Sequence, residues 1–148
     1  MNKLLLKDRC VATIRERIRG LETAMAEAQA AANNETKSSS GDKYETSRAM
    51  NQLDKDMYAR QLAENSRELS SILDIDCGHS SPGVIAGSLI DCGGTFFFIL
   101  GGLGKLQFED KAVFVISPNA PLAKTLFLKK KGDRFIFNRE ELEILELL

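Results

Sequence analysis

The chain has 148 residues, enough for one ordinary domain or two small ones, and 43% of them are apolar, so a packed core is within reach although Trp is absent. Its 20 Lys and Arg nearly cancel its 21 Asp and Glu, which excludes a protein that coats nucleic acid by charge alone and predicts no independent nucleic-acid binding. Three cysteines, Cys10, Cys77 and Cys92, follow no regular spacing and read as reduced thiols of a cytoplasmic protein. The opening Met1–Asp8 holds too short an apolar run for a signal peptide, and no stretch approaches the roughly 20 apolar residues of a membrane span.

Up to about residue 75 the chain is rich in Ala, Glu, Arg, Gln and Met and has no proline. Leu4, Val11, Ile14, Ile18, Leu21, Met25, Ala28 and Ala32 recur in steps of three, four or seven. That heptad seam predicts a first helix over 4–32. A polar break follows, from Asn33 to Asp42, where Asn, Ser and Gly compete with helix. Met50, Leu53, Met57, Tyr58, Leu62, Leu69 and Ile72 then predict a second helix over 43–74, with a register shift near Tyr58. Asp42 reads as its N-cap and Glu45 as the acid of a capping box. One seam alone leaves an apolar stripe in water; two of similar length bury each other as an antiparallel hairpin. Residues 1–75 are therefore expected to form a coiled-coil arm with its tip near 33–45. At 1.5 Å per residue each helix would be roughly 42–48 Å long.

Composition changes near residue 76. The segment 76–83, Asp76 to Gly83, reads as a linker, and 84–148 as a second domain. Short apolar runs predict strands over 84–90, 95–100, 112–116, 134–137 and 142–147. Pro121 opens a short helix over 121–128, proline being tolerated at a first helical position. The order of elements points to an α+β chain: a helical hairpin, then a small, mostly antiparallel sheet with one short helix. Phe96-Phe97-Phe98 reads as a core strand, and Lys129-Lys130-Lys131 as a solvated turn. Cys77 and His79 fall short of the four ligands usual for zinc.

The stretch from Ser117 to Asp133, with Ser117-Pro118-Asn119-Ala120-Pro121-Leu122-Ala123-Lys124 and then Lys129-Lys130-Lys131-Gly132-Asp133, resembles without a gap the C-terminal signature of Gre-type transcription factors. Ala86-Gly87-Ser88-Leu89-Ile90 is similar to the first strand of that family's C-terminal domain. Gly41-Asp42-Lys43-Tyr44-Glu45 resembles the family's Gly-Asp-x-x-Glu segment, in the expected place at the tip. The chain differs from the usual pattern at Lys43-Tyr44, where the family has Leu-Ser. It differs also at Thr46 for Asn, Ala120 for Ser and Leu128 for Gly. The resemblance spans nearly the whole chain and implies an FKBP-like fold for residues 84–148.

It also implies a function: binding RNA polymerase, inserting the coiled coil into its secondary channel and stimulating cleavage of backtracked RNA. The chain would then be an accessory factor without an active site of its own. Asp42 and Glu45 are the implied catalytic and metal-side residues. They would hold a second Mg2+ shared with the polymerase, near the RNA 3′ end. Lys43, Tyr44, Asn119, Ala120 and Pro121 are the implied partner-binding residues. The chemistry is coherent, because Mg2+ takes carboxylate oxygens while keeping several waters, and an added metal activates the attacking oxygen. Two alternatives stand beside this reading. One is a secondary-channel regulator without cleavage activity, favoured by Lys43-Tyr44. The other is a coiled-coil scaffold or chaperone unrelated to transcription.

Overall fold

The computed structural model describes residues 1–35 and 41–148, the side chains of 35 and 41–44 excepted. Helix α1 spans Lys3–Glu35 and α2 spans Gly41–Asp74, 33 and 34 residues. The strands are β1 (Leu89–Asp91), β2 (Phe96–Ile99), β3 (Gly104–Phe108), β4 (Lys111–Ile116), β5 (Arg134–Phe137), β6 (Glu140–Glu143) and β7 (Glu146–Leu147), with α3 (Pro121–Leu126) between β4 and β5. The architecture is thus α+β: two long helices, then a small, mostly antiparallel sheet and a short helix. The chain divides into two compact units, Thr13–Leu69 on one side and Met1–Ala12 with Ser70–Leu148 on the other. No helix is long and apolar enough to cross a membrane, among the described residues.

The unit Thr13–Leu69 is the helix pair. On α1 the expected seam is the covered one: Ile14 is fully buried, and Ile18, Leu21, Met25, Ala28 and Ala32 are half-buried. On α2 the expectation fails in the first half. Met50, Leu53 and Met57 are 61%, 67% and 38% exposed. The half-buried positions are instead Ser47, Asn51, Lys55, Tyr58, Leu62 and Asn65. A helix has one rotational phase. Once Tyr58 and Leu62 face inward, steps of three and four carry the inner face back through Lys55, Asn51 and Ser47. No register shift occurs near Tyr58 to bring the methionines round, so they remain in water.

In the other unit, Asn2 starts α1 by accepting, through Oδ1, the amide hydrogens of Leu4 (2.9 Å) and Leu5 (3.2 Å). Leu6 and Cys10 are fully buried, whereas Leu4 is 55% exposed and leaves the predicted seam. Lys7 Nζ donates to the carbonyls of Leu73 (3.3 Å) and Ile75 (2.6 Å), which places a cation at the C-terminus of α2, where the helix leaves carbonyls unsatisfied. Lys3 Nζ donates to the carbonyl of His79, beyond the end of α2, at 2.8 Å. Residues 76–83 are therefore tied down, and Cys77 within them is 2% exposed.

The main sheet has the order β3-β4-β2-β1-β7, with β2 and β4 parallel and the other neighbours antiparallel; β5 and β6 form a separate hairpin. Strand β2 is buried at every position, which explains its unbroken apolar run. Phe97 and Ile99 pack with Ala123 and Leu126 of α3 and with Phe135 and Ile144. Phe96 and Phe98 point to the other face, beside Leu89, Val113 and Val115, all buried. Phe97 sits at the centre of an aromatic cluster, 4.9–5.6 Å from the rings of Phe114, Phe135 and Phe137.

Three strand expectations need correction. Residues 84–88 form a turn, with Ser88 N–H donating to Ile85 O, and the strand begins only at Leu89. Gly87 has φ +89, and a Cβ there would clash with the carbonyl oxygen of Asp76, so only glycine fits this crossing. Strand β3 was not anticipated. It is an edge strand with only Leu106 and Phe108 as apolar residues, and its two-residue turn to β4, Glu109-Asp110 at φ 50 and 60, lacks the usual glycine. Finally, the run 142–147 is split. Strand β6 pairs with β5 and β7 with β1, because Ile144 turns inward and bonds Asp133 while Leu145 bonds Asp91.

Candidate functional site

Helix α2 starts at Gly41, so Asp42 is its second residue and not its cap. The cap position falls before Gly41, outside the described residues. The capping-box reading of Asp42 and Glu45 is therefore replaced by one in which both acids lie at the start of the helix, three residues apart. A separation of three residues puts their backbone positions on one face of the helix. The side chains of Asp42, Lys43 and Tyr44 lie outside the described residues. Glu45 is exposed and lines a shallow cleft with Arg48, Ala49 and Gln52, the next positions along the same face. Among the described residues no group of three or more His, Cys, Asp and Glu is placed to hold a metal ion. Two adjacent carboxylates fit Mg2+ only as part of a coordination shell completed elsewhere.

The second set of expected partner-binding residues lies around α3. Ala120 is the N-cap residue and Pro121 the first helical residue, as anticipated, but no side chain caps the helix. Asn119 does not cap it through its side chain either. Its own amide donates to Ser117 Oγ at 3.2 Å, and the turn is closed by Ala120 N–H on Ser117 O. Asn119 and Pro121 are exposed and Ala120 half-buried. The helix ends two residues earlier than expected. Leu128 then turns left-handed at φ 64, and Gly132 follows at φ 91. Asp133 closes that turn by accepting the Lys130 amide at Oδ2, 2.7 Å away. Phe127 and Leu128 remain 58% and 59% exposed.

Cys77 and His79 do not converge on a common point. His79 Nδ1 pairs with Asp76 Oδ2 at 2.6 Å on the surface, whereas Cys77 is buried with its thiol toward the Ile75 carbonyl. Hydrogen bonds from the Gly78 amide and from His79 hold the Asp76 carboxyl below its ordinary range. Burial pushes the Cys10 thiol up to about 12 and that of Cys92 to about 11, so neither is an activated nucleophile.

A cleft between the helices is not legible in the sequence. Gln29, Ala32 and Asn33 of α1 and Arg48, Asn51, Gln52 and Lys55 of α2 line it, around a volume of about 280 Å³. Lys55 Nζ donates to Gln29 Oε1 across the pair. A polar residue in a heptad region ordinarily reads as part of a solvated face. The signal that would have found this cleft is the inner phase of α2, which the apolar pattern assigns to Met50 and Leu53. In comparison with known proteins, the chain matches no family model, and no curated protein or solved structure is significantly similar to it.

Proposed function

We propose that this chain is a Gre-type factor that binds RNA polymerase and enters its secondary channel with the helix pair. There Asp42 and Glu45 act at the polymerase's own metal site, so that backtracked RNA is hydrolysed. The observation that carries the reading is the placement of the two acids at the start of α2, three residues apart, with Glu45 exposed. Within the unit Thr13–Leu69, α1 runs about 35 Å and α2 about 44 Å at 1.5 Å per residue, an extended helix pair suited to such an entry. The backbone around α3 supports the family register independently. Gly132 has φ 91, and Leu128 takes φ 64 where the family carries glycine, the residue suited to that conformation. We read the sheet with its packed helix α3 as FKBP-like.

In this mechanism Mg2+, when bound, polarises the attacking water. The chain's own part is to bring two carboxylate residues, three apart in sequence, to the start of α2. Lys43 adds a cation between them in sequence, suited to an RNA phosphate. The test is a stalled, backtracked elongation complex with magnesium, assayed for RNA shortening. The wild type shortens RNA and the Asp42→Asn, Glu45→Gln double variant does not. Equal rates with and without protein remove the cleavage reading. Binding to polymerase without any shortening selects a non-cleaving channel regulator, which Lys43-Tyr44 favours. The exposed stripe Met50, Leu53 and Met57 is the observation that favours a scaffold outside transcription. Failure to recover polymerase subunits with the chain would select it.

A further inference from the structure

We propose that the cleft between α1 and α2 binds a small free polyphosphate, of the pyrophosphate or nucleoside-diphosphate class. The cleft shares no residue with the acid pair Asp42 and Glu45, so its occupancy does not depend on the transcription reading. Its lining combines the small Ala32 with the polar inner positions Asn51 and Lys55. Among the described residues its lining contains two cations, Arg48 and Lys55, four side-chain amides and no acid. Half-buried Lys55 and exposed Arg48 give this lining a net positive charge, which attracts an anion.

The amides are pre-arranged. Gln29 accepts from Lys55 through Oε1 and donates from Nε2 to Asn33 Oδ1 at 3.0 Å, which fixes the ammonium group at the cleft wall. An ammonium has three donors, so Lys55 keeps capacity for a ligand oxygen. Gln52 is held in turn by its bond to Asp56 at 3.0 Å, and that carboxylate is not part of the lining. Glu45, one turn before Arg48, lines a neighbouring cleft that shares Arg48 and Gln52 with this one.

Charge spacing selects the ligand. Arg48 and Lys55 are seven residues apart, two helical turns or about 10.5 Å along the axis. Over that backbone spacing a di- or triphosphate can present one negative group to each side chain. The planar guanidinium fork takes one phosphate through paired bonds, and the ammonium takes the other as a point charge.

The experiment titrates inorganic pyrophosphate into the full chain at low salt, read by calorimetry and by amide NMR shifts. Saturable binding is expected, with shifts centred on Asn33, Arg48, Asn51 and Lys55. Arg48→Gln and Lys55→Gln each weaken it about tenfold or more, the loss of a charged hydrogen bond. Arg60→Gln, an exposed charge outside the cleft, changes it by no more than about twofold. Circular dichroism of each variant confirms that helix content is retained. A variant that loses helix is replaced by Arg48→Lys, expected to bind more weakly than wild type because it lacks the fork. The proposal is overturned if no saturable binding is seen, or if Arg60→Gln weakens binding as much as the cleft variants. It is equally overturned if an oligoribonucleotide without terminal phosphates binds more tightly than pyrophosphate, which would make the surface a tracker of nucleic-acid backbone.

Discussion

Replacing Phe97 by Ala tests the account of the sheet most directly. Phe97 is fully buried in the central strand β2, and three aromatic rings surround it at 4.9–5.6 Å. Truncating a buried Phe removes its transfer free energy and leaves a cavity, together about 3–5 kcal/mol. The substitution also abolishes edge-on and stacked ring pairing, which places Phe97→Ala at the upper end of that range. Ile136 serves as the control. It is 71% exposed, so less than a third of its surface is covered, and Ile136→Ala costs roughly 0.5–1 kcal/mol. Both tyrosines lie in α2, so fluorescence would follow the helix pair and not the sheet. The suitable readout is hydrogen exchange at the amides of Phe96–Ile99. A loss of about 4 kcal/mol lowers their protection by roughly a thousandfold, since each factor of ten is worth about 1.4 kcal/mol. Loss of protection in Phe97→Ala within tenfold of that in Ile136→Ala would show that the ring cluster is not the sheet's main source of stability.

Asn138-Arg139 joins β5 to β6 with φ 51 and 66, so Arg139→Gly relieves a left-handed penalty of about 1–2 kcal/mol against a smaller entropy cost. A net gain of roughly 0.5–1 kcal/mol should raise the urea midpoint of the β5–β6 amides without changing the slope; a lower midpoint contradicts the turn assignment. The Cys10 thiol, raised from an ordinary 9.0 to about 12, contributes stability that is complete below pH 9 and is lost as pH rises toward 12. Cys10→Ala should therefore flatten the alkaline fall in stability over that window, and an unchanged alkaline slope refutes the burial argument. Asp42→Asn with Glu45→Gln should leave the thermal midpoint within about 2–4 °C of wild type, since surface substitutions usually shift stability by less than about 0.5 kcal/mol. RNA shortening should nevertheless stop, and a large drop in the midpoint would reassign the pair to a structural role.

The acid pair Asp42 and Glu45 is legible only through the resemblance of Gly41-Asp42-Lys43-Tyr44-Glu45 to a family segment; by residue type alone it reads as an ordinary helix-start pair. The polar cleft did not stand out, since Asn51 and Lys55 look like solvent-facing residues until the phase of α2 is known. Similarly, Asn119 offers a side chain able to cap α3, but the turn closed by Ser117 directs its backbone elsewhere.

Local residue order was enough for the two long helices, the α1 seam from Val11 to Ala32, the buried strand at Phe96–Ile99 and the start of α3 at Pro121. These rest on periodicity and on the backbone limits of proline, which act within a few residues. Which face of α2 meets α1 was settled at the level of the folded chain, and Met50, Leu53 and Met57 were left in water as a result. At that level too the final apolar run divides between two sheets at Ile144, and β3 joins the main sheet. Each of these outcomes depends on packing between residues far apart in the chain, where the burial of one element sets the phase or register of the next.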